Sequence, residues 1–139
     1  MPRKTDSSNP ADWLLIVESD LEGLRTLAQQ ELAHQMCRSK LAEVVEKLIK
    51  AELIRLGWFL EKTHDLRKLG GELEARGSDL MNVVRPLCNE FAEVYFIDRY
   101  PGFDLEDPDW PALRTRVEEV TQLLNTVKSR VSGSEPSPS

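Results

Sequence analysis

The sequence has few of the residues from which common functional sites are built. Its 139 residues include two cysteines and two histidines. The cysteines, Cys37 and Cys88, lie within apolar helical patterns and lack a paired spacing, so we expect two buried thiols and no disulfide. The sequence shows no Cys/His cluster, glycine-rich phosphate loop, Ser-His-Asp order or calcium-loop spacing. It therefore predicts no cofactor, no metal site and no catalytic residues of these familiar kinds.

Long apolar runs and an excess of positive charge are also missing. No run approaches the ~18 apolar residues of a membrane span, and the first nine residues lack the apolar stretch of a signal peptide. Lys and Arg number 18 against 24 Asp and Glu, for a formal charge of -6. Generic phosphate neutralisation therefore cannot drive binding, and any nucleic acid would need a local basic pocket. We expect a cytoplasmic protein with neither a membrane nor DNA as partner.

Helical periodicity is the main positive signal. Apolar residues recur at steps of three and four, and no stretch alternates with the period of two that is typical of strands. The first expected helix covers residues 10–32 after an Asn9 cap, and the second ends at Gly57. A short third helix is capped by Thr63 and ends near Gly70-Gly71 or a little beyond. The fourth runs from Ser78-Asp79 to about Asp98 with a kink at Pro86, and the fifth runs from Asp109 to Val131. In helix one, the inward face is expected to carry Trp13, Ile16, Val17, Leu21, Leu24, Leu27 and Ala28.

These elements predict an all-α fold, an antiparallel up-and-down bundle of four long helices plus one short helix. Residues 10–131 would form one helical domain. Residues 1–9 are expected to be a flexible N-terminus. Residues 132–139 have no side chain able to anchor them, so they are expected to form a disordered tail.

Three short strings on this helical chain resemble those of the HEPN family. They are Val45-Glu46-Lys47-Leu48-Ile49-Lys50-Ala51, Lys62-Thr63-His64-Asp65-Leu66 and Asp98-Arg99-Tyr100-Pro101. In the first, Glu46, Lys47, Lys50 and Ala51 match the family pattern, whereas Ala42 and Glu43 replace its two glutamines. The resemblance runs from about residue 11 to residue 131. The resemblance implies that this chain forms a homodimer. Members of the family bind nucleotides, pair with minimal nucleotidyltransferases or cut RNA.

The same strings supply the candidate ligand-binding residues, which are His64, Asp65, Arg99, Tyr95, Lys47 and Lys50. A purely structural interpretation is the alternative to ligand binding for these residues. The lysines would form i to i+4 pairs with Glu43 and Glu46 on a solvated helix face. His64, placed in the first turn of the short helix, would either bond Asp65 or a nearby carbonyl, or line a cleft beside helix four. His34 is expected to be a surface residue.

Arg99 follows Tyr95 by four residues, so the two side chains should stack on one helix face. Its guanidinium could bind a phosphate bidentately. It could equally satisfy the last carbonyls of its helix or pair with a nearby acid, Asp98, Asp104 or Glu106.

A missing histidine separates this chain from the RNA-cutting relatives. Those proteins carry an arginine followed about one helical turn later by a histidine, and residues 100–106 here contain none. Without this histidine, the resemblance implies a non-enzymatic nucleotide- or partner-binding module that works with a minimal nucleotidyltransferase in a two-component, toxin-antitoxin type system. The alternatives are a metal-independent RNase toxin with an atypical His64/Arg99 centre and a purely structural dimerisation module.

Overall fold

The computed structural model describes residues 4–94, 101–102 and 107–132. This part of the chain contains five α-helices and no strand, as the all-α prediction requires. The helices are α1 (Pro10–Gln30), α2 (His34–Arg55), α3 (Leu66–Ala75), α4 (Met81–Phe91) and α5 (Trp110–Val131). Among the described residues, none of these helices combines the length and apolar character that crossing a membrane requires.

Local chemistry sets several helix ends where the sequence predicted them. The Asn9 side chain accepts a hydrogen bond from the amide of Ala11, and Asp109 accepts one from Ala112. Both caps precede a proline in the first turn of the helix, where its missing N–H costs nothing. Gly57 follows α2 with a φ of 94°, the left-handed conformation that favours glycine.

The fourth helix is shorter than predicted. α4 ends at Phe91, and Ala92 and Glu93 form a turn, whereas residues 95–98 of the predicted helix lie outside the described part of the chain. The described chain thus has three helices of 21 or 22 residues and two of 10 and 11. Val94 is as buried as the α4 core residues although it lies beyond the turn. The spacing of apolar residues predicted this burial correctly, but it did not predict the turn at Ala92 and Glu93.

α3 ends at Ala75, a little beyond the Gly70-Gly71 pair. The helix passes through both glycines and ends before Gly77, whose φ is 71°. A Cβ atom on Gly70 would lie 3.1 Å from the sulfur of Cys88 on α4. Gly70 therefore allows a close approach of α3 to α4, and that is a packing role rather than a stop signal.

The core forms around α2, which packs against each of the other four helices. The buried apolar residues of α1 follow a strict three-four spacing and are Leu14, Val17, Leu21, Leu24 and Ala28. Ile16 was expected to face inward, but 45% of it is exposed, and Leu14 is buried in its place. Ile16 is exposed because its position around the helix lies outside the face of α1 that packs against α2 and α5.

The segment before α1 is attached to it by two hydrogen bonds. The Asp6 amide donates to the carboxylate of Asp12 at 2.8 Å, and the Trp13 indole donates to the carbonyl of Ser7 at 2.8 Å. These contacts bring the chain near residue 7 against the side chain of Trp13. The flexible N-terminus and the disordered tail stay predictions, and most of the tail lies outside the described residues.

Candidate functional site

His64 and Glu46 form the centre of the candidate site. His64 lies in the connector between α2 and α3, and its Nδ1 is 3.0 and 3.2 Å from the two carboxylate oxygens of Glu46. The Glu46 side chain is 11% exposed, whereas that of His64 is 58% exposed. Because an ionised carboxylate only accepts hydrogen bonds, Nδ1 of His64 carries the proton in this contact.

Lys50 holds the other side of the Glu46 carboxylate. Its Nζ donates to Oε2 of Glu46 at 2.8 Å, and its side chain is 5% exposed. The same ammonium lies 5.6 Å from the centre of the Trp13 ring, within the range of a cation–π contact. The predicted i to i+4 pair therefore exists, but it is buried, so the expectation of a solvated face is wrong for Glu46 and Lys50.

The start of α3 differs from the prediction by two residues. Asp65 is the N-cap and accepts from the amide of Lys68 at 3.1 Å, while Thr63 accepts from the amide of Asp65. His64 therefore precedes the helix and does not lie in its first turn. Its described carboxylate contact is with Glu46, 18 residues upstream, and not with Asp65. A long-range partner of this kind leaves no local signal in the sequence.

The structure places Lys47 in a different contact from His64. Its Nζ is 3.8 Å from Oδ2 of Asp20 on α1, and that oxygen is buried without a hydrogen-bond partner. Glu43, the expected partner of Lys47, is instead 3.5 Å from Lys40. Tyr95 and Arg99, the remaining candidate residues, lie outside the described part of the chain.

A small cleft opens beside His64 between α2 and the start of α3 and end of α4. Its cavity volume is about 20 Å³, roughly the room for one water molecule and far below the range for small-ligand pockets. Its described lining consists of Ser39, Ala42, Glu43, Glu46, His64, Leu66 and Phe91. His64 thus lines a cleft together with Phe91 of α4, and its role in ligand binding stays a prediction.

Two polar residues of this lining, Ser39 and Glu43, were missed in the sequence. Together with Glu46 they are spaced by four and three residues, so all three lie on one face of α2. This spacing could have identified them once Glu46 was assigned to a site. Among the described residues, no group of three or more His, Cys, Asp or Glu side chains could hold a metal ion.

The family model of the HEPN domain matches residues 11–131. The chain belongs to the HEPN domain family. The match confirms the resemblance seen in the three strings, and it covers the residues that meet around Glu46. No curated protein and no solved structure shows significant similarity to the chain. HEPN membership identifies a helical module related to nucleotide, RNA or partner binding.

Proposed function

We propose that this HEPN protein is a nucleotide- or partner-binding module that works with a minimal nucleotidyltransferase in a two-component, toxin-antitoxin type system. The observation that carries the proposal is the exposed imidazole of His64 at the mouth of a cleft, held by the buried carboxylate of Glu46. A side chain fixed by a buried partner loses little freedom on binding, and this favours recognition.

In this proposal His64 contacts the ligand and Lys50 holds Glu46 in position. Asp65 contributes by capping α3 and so fixing the connector next to His64. Lys47, Tyr95 and Arg99 stay proposed ligand contacts on the strength of the family resemblance.

The test is binding by the purified full chain, measured by calorimetry against AMP, ATP and a minimal nucleotidyltransferase encoded beside its gene. His64→Ala should weaken binding at least tenfold. His34→Ala is the matched control, because His34 contacts the backbone of Asp109 and does not line the cleft. Equal binding by both variants and the unmodified chain would contradict a role for the cleft.

A second candidate is an RNase with an atypical His64/Arg99 centre. The contact that favours it is again Nδ1 of His64 on a carboxylate, since an imidazole oriented in this way is suited to act as a general base. We expect no cleavage above background, because the histidine that follows the arginine in RNA-cutting relatives is missing. Metal-independent cleavage of labelled RNA in EDTA, lost in both His64→Ala and Arg99→Ala, would favour this second candidate.

We also propose an antiparallel up-and-down arrangement of the bundle. It is supported by two pairs between α1 and α5. Arg114, early in α5, contacts Glu31 just after α1, and Lys128, late in α5, contacts Glu18 in the first half of α1.

The proposal includes a cytoplasmic homodimer that forms on α1. Its support is the exposure of Leu15 and Ile16, at 55% and 45%, on that helix. If the three sequence strings that resemble the HEPN family have only a structural role, the protein would be a dimerisation module without a ligand. Light scattering at tens of micromolar tests the dimer, and a monomeric mass would count against it.

A further inference from the structure

The ammonium of Lys50 is held by an aromatic ring as well as by a carboxylate. An ammonium carries three N–H donors, and the described acceptor for Nζ of Lys50 is Oε2 of Glu46, at 2.8 Å. The Trp13 ring covers another side of the same group, with its centre 5.6 Å from Nζ. The Lys50 side chain is 5% exposed, so water takes little part in holding its charge. The position of the ammonium therefore depends on Trp13.

The Trp13 ring is itself fixed by the segment before α1. Its indole N–H donates to the carbonyl of Ser7 at 2.8 Å. That segment is folded back on the helix, since the Asp6 amide donates to the carboxylate of Asp12 at 2.8 Å and the Asn9 amide donates to the carbonyl of Asp6 at 3.0 Å. The ring also packs, partly buried, against the core. The backbone of α1 and the carbonyl of Ser7 therefore hold the ring in one orientation.

These contacts continue to the exposed imidazole of the candidate site. The Glu46 carboxylate that accepts from Lys50 lies 3.0 and 3.2 Å from Nδ1 of His64. The contacts thus run without a gap from Ser7, through α1 and α2, to the connector that carries His64. Without the Trp13 ring, water would reach the Glu46–Lys50 pair, and ion pairs exposed to water hold their geometry weakly. The carboxylate would then be free to turn away from Nδ1.

We infer that Trp13 is a positioning residue for His64, acting through Lys50 and Glu46, and that the segment before α1 holds Trp13 in this role. Trp13 lies on α1 and is not part of the cleft lining, so its effect on the site passes through the two charged side chains. The inference deepens the proposed function, on which it rests for the part that His64 plays in binding.

The experiment reads the tautomer of each histidine ring by ¹H–¹⁵N NMR of the full chain at pH 8. In the unmodified chain the proton of His64 should lie mainly on Nδ1, because the carboxylate of Glu46 accepts there. Trp13→Leu should reduce the population with the proton on Nδ1 at least twofold. Trp13→Phe keeps an aromatic face for Lys50 but loses the indole N–H, so it should cause a measurable reduction that is smaller than that of Trp13→Leu.

Trp110→Leu is the matched control. Trp110 is also partly buried against the core, and its ring packs edge to face on His34 with 4.8 Å between the ring centres. This variant should shift the ring signals of His34 and leave those of His64 unchanged, whereas Trp13→Leu should do the reverse. Equal changes of His64 in the two leucine variants would show a general loss of packing and overturn the inference.

Trp13→Phe is the milder change and carries the test if circular dichroism shows that Trp13→Leu does not fold. An unchanged His64 tautomer in Trp13→Phe would then overturn the inference. If both variants fold, an unchanged tautomer in Trp13→Leu overturns it. Equal reductions in the two variants also overturn it, because the aromatic face would then have no part in holding Lys50.

Calorimetry separates the inference from the proposed function. If the unmodified chain binds AMP, ATP or the nucleotidyltransferase encoded beside its gene, Trp13→Leu should weaken that binding at least threefold and Trp110→Leu should not. Binding that Trp13→Leu leaves intact, with an unchanged tautomer, overturns the inference while the proposed function stands. If the unmodified chain binds none of these probes, the proposed function fails, and the tautomer measurement still decides whether Trp13 positions His64.

Discussion

Lys50 and Glu46 form a 2.8 Å ion pair inside the protein, with 5% and 11% of their side chains exposed. Removing two charges from water is costly, and their attraction offsets that cost only while both partners are present. His64 depends on the same carboxylate. The pair therefore connects the stability of the α1–α2 packing to the geometry of the candidate site.

Replacing Lys50 with methionine should destabilise the protein by about 3 to 5 kcal/mol, because it leaves the buried carboxylate of Glu46 without its ammonium. Lys40→Met is the matched control, since Lys40 forms a long, exposed pair with Glu43 and should cost no more than about 1 kcal/mol. Urea unfolding followed by circular dichroism measures both. A similar loss of unfolding free energy in the two variants would mean that burial does not determine how much the Glu46–Lys50 pair stabilises the protein.

The Glu46–Lys50 pair was predictable from the sequence in its spacing but not in its burial. The i to i+4 spacing identified Glu46 and Lys50 as neighbours because helix geometry is local. Their burial depends on Trp13, which lies 37 residues before Lys50, and on the connector that carries His64. Those contacts are set by tertiary packing, for which no local pattern exists. The caps at Asn9 and Asp109 were predictable for the opposite reason, since each is decided within a few residues.

The two adjacent glycines of α3 should respond differently to alanine. A Cβ on Gly71 would have no neighbour within 4 Å, so Gly71→Ala should stabilise the helix interior by about 0.5 to 1 kcal/mol. A Cβ on Gly70 would lie 3.1 Å from the sulfur of Cys88, so Gly70→Ala should gain less or lose stability. Thermal unfolding of both variants measures the difference.

A Cys88→Ala background provides the control for this pair. Without the sulfur, Gly70→Ala and Gly71→Ala should become equivalent in their effect on stability. A difference that persists there would show that Cys88 is not what limits the space at Gly70. The sequence could not distinguish the two glycines, because a helix stop and a close approach between helices use the same residue.

Both thiols should react slowly in the folded protein. Burial raises the pKa of Cys37 above its ordinary value and raises the pKa of Cys88 to about 11. At pH 8 only about a thousandth of Cys88 would be thiolate, the form that reacts. A disulfide reagent such as DTNB should therefore label the native chain far more slowly than the chain in urea. Fast native labelling that disappears in Cys88→Ala would show that this helix opens readily.

The last prediction concerns the effect of low pH on the contact between α5 and the loop before α4. Arg130 donates to both carboxylate oxygens of Asp79, at 2.9 and 2.8 Å, and also contacts the buried Glu52. The hydrogen bonds from Arg130 hold the pKa of Asp79 below its ordinary value of 3.8. A carboxylate with a lowered folded pKa stabilises the protein above its unfolded pKa, and this contribution is lost as the pH falls through the folded pKa.

Asp79→Asn should therefore lower stability at pH 7 by no more than about 1 kcal/mol, since the Asp79 side chain is 70% exposed and solvent screens the pair. The difference from the unmodified chain should shrink as the pH is lowered below 3.8, because acid progressively removes the same interaction from the unmodified chain. Urea midpoints between pH 2 and pH 7 measure this convergence. Glu118→Gln, which removes an exposed charge elsewhere, should give a curve parallel to the unmodified chain. A constant offset between Asp79→Asn and the unmodified chain over the whole range would mean that Asp79 stabilises the loop by its shape and not by its charge.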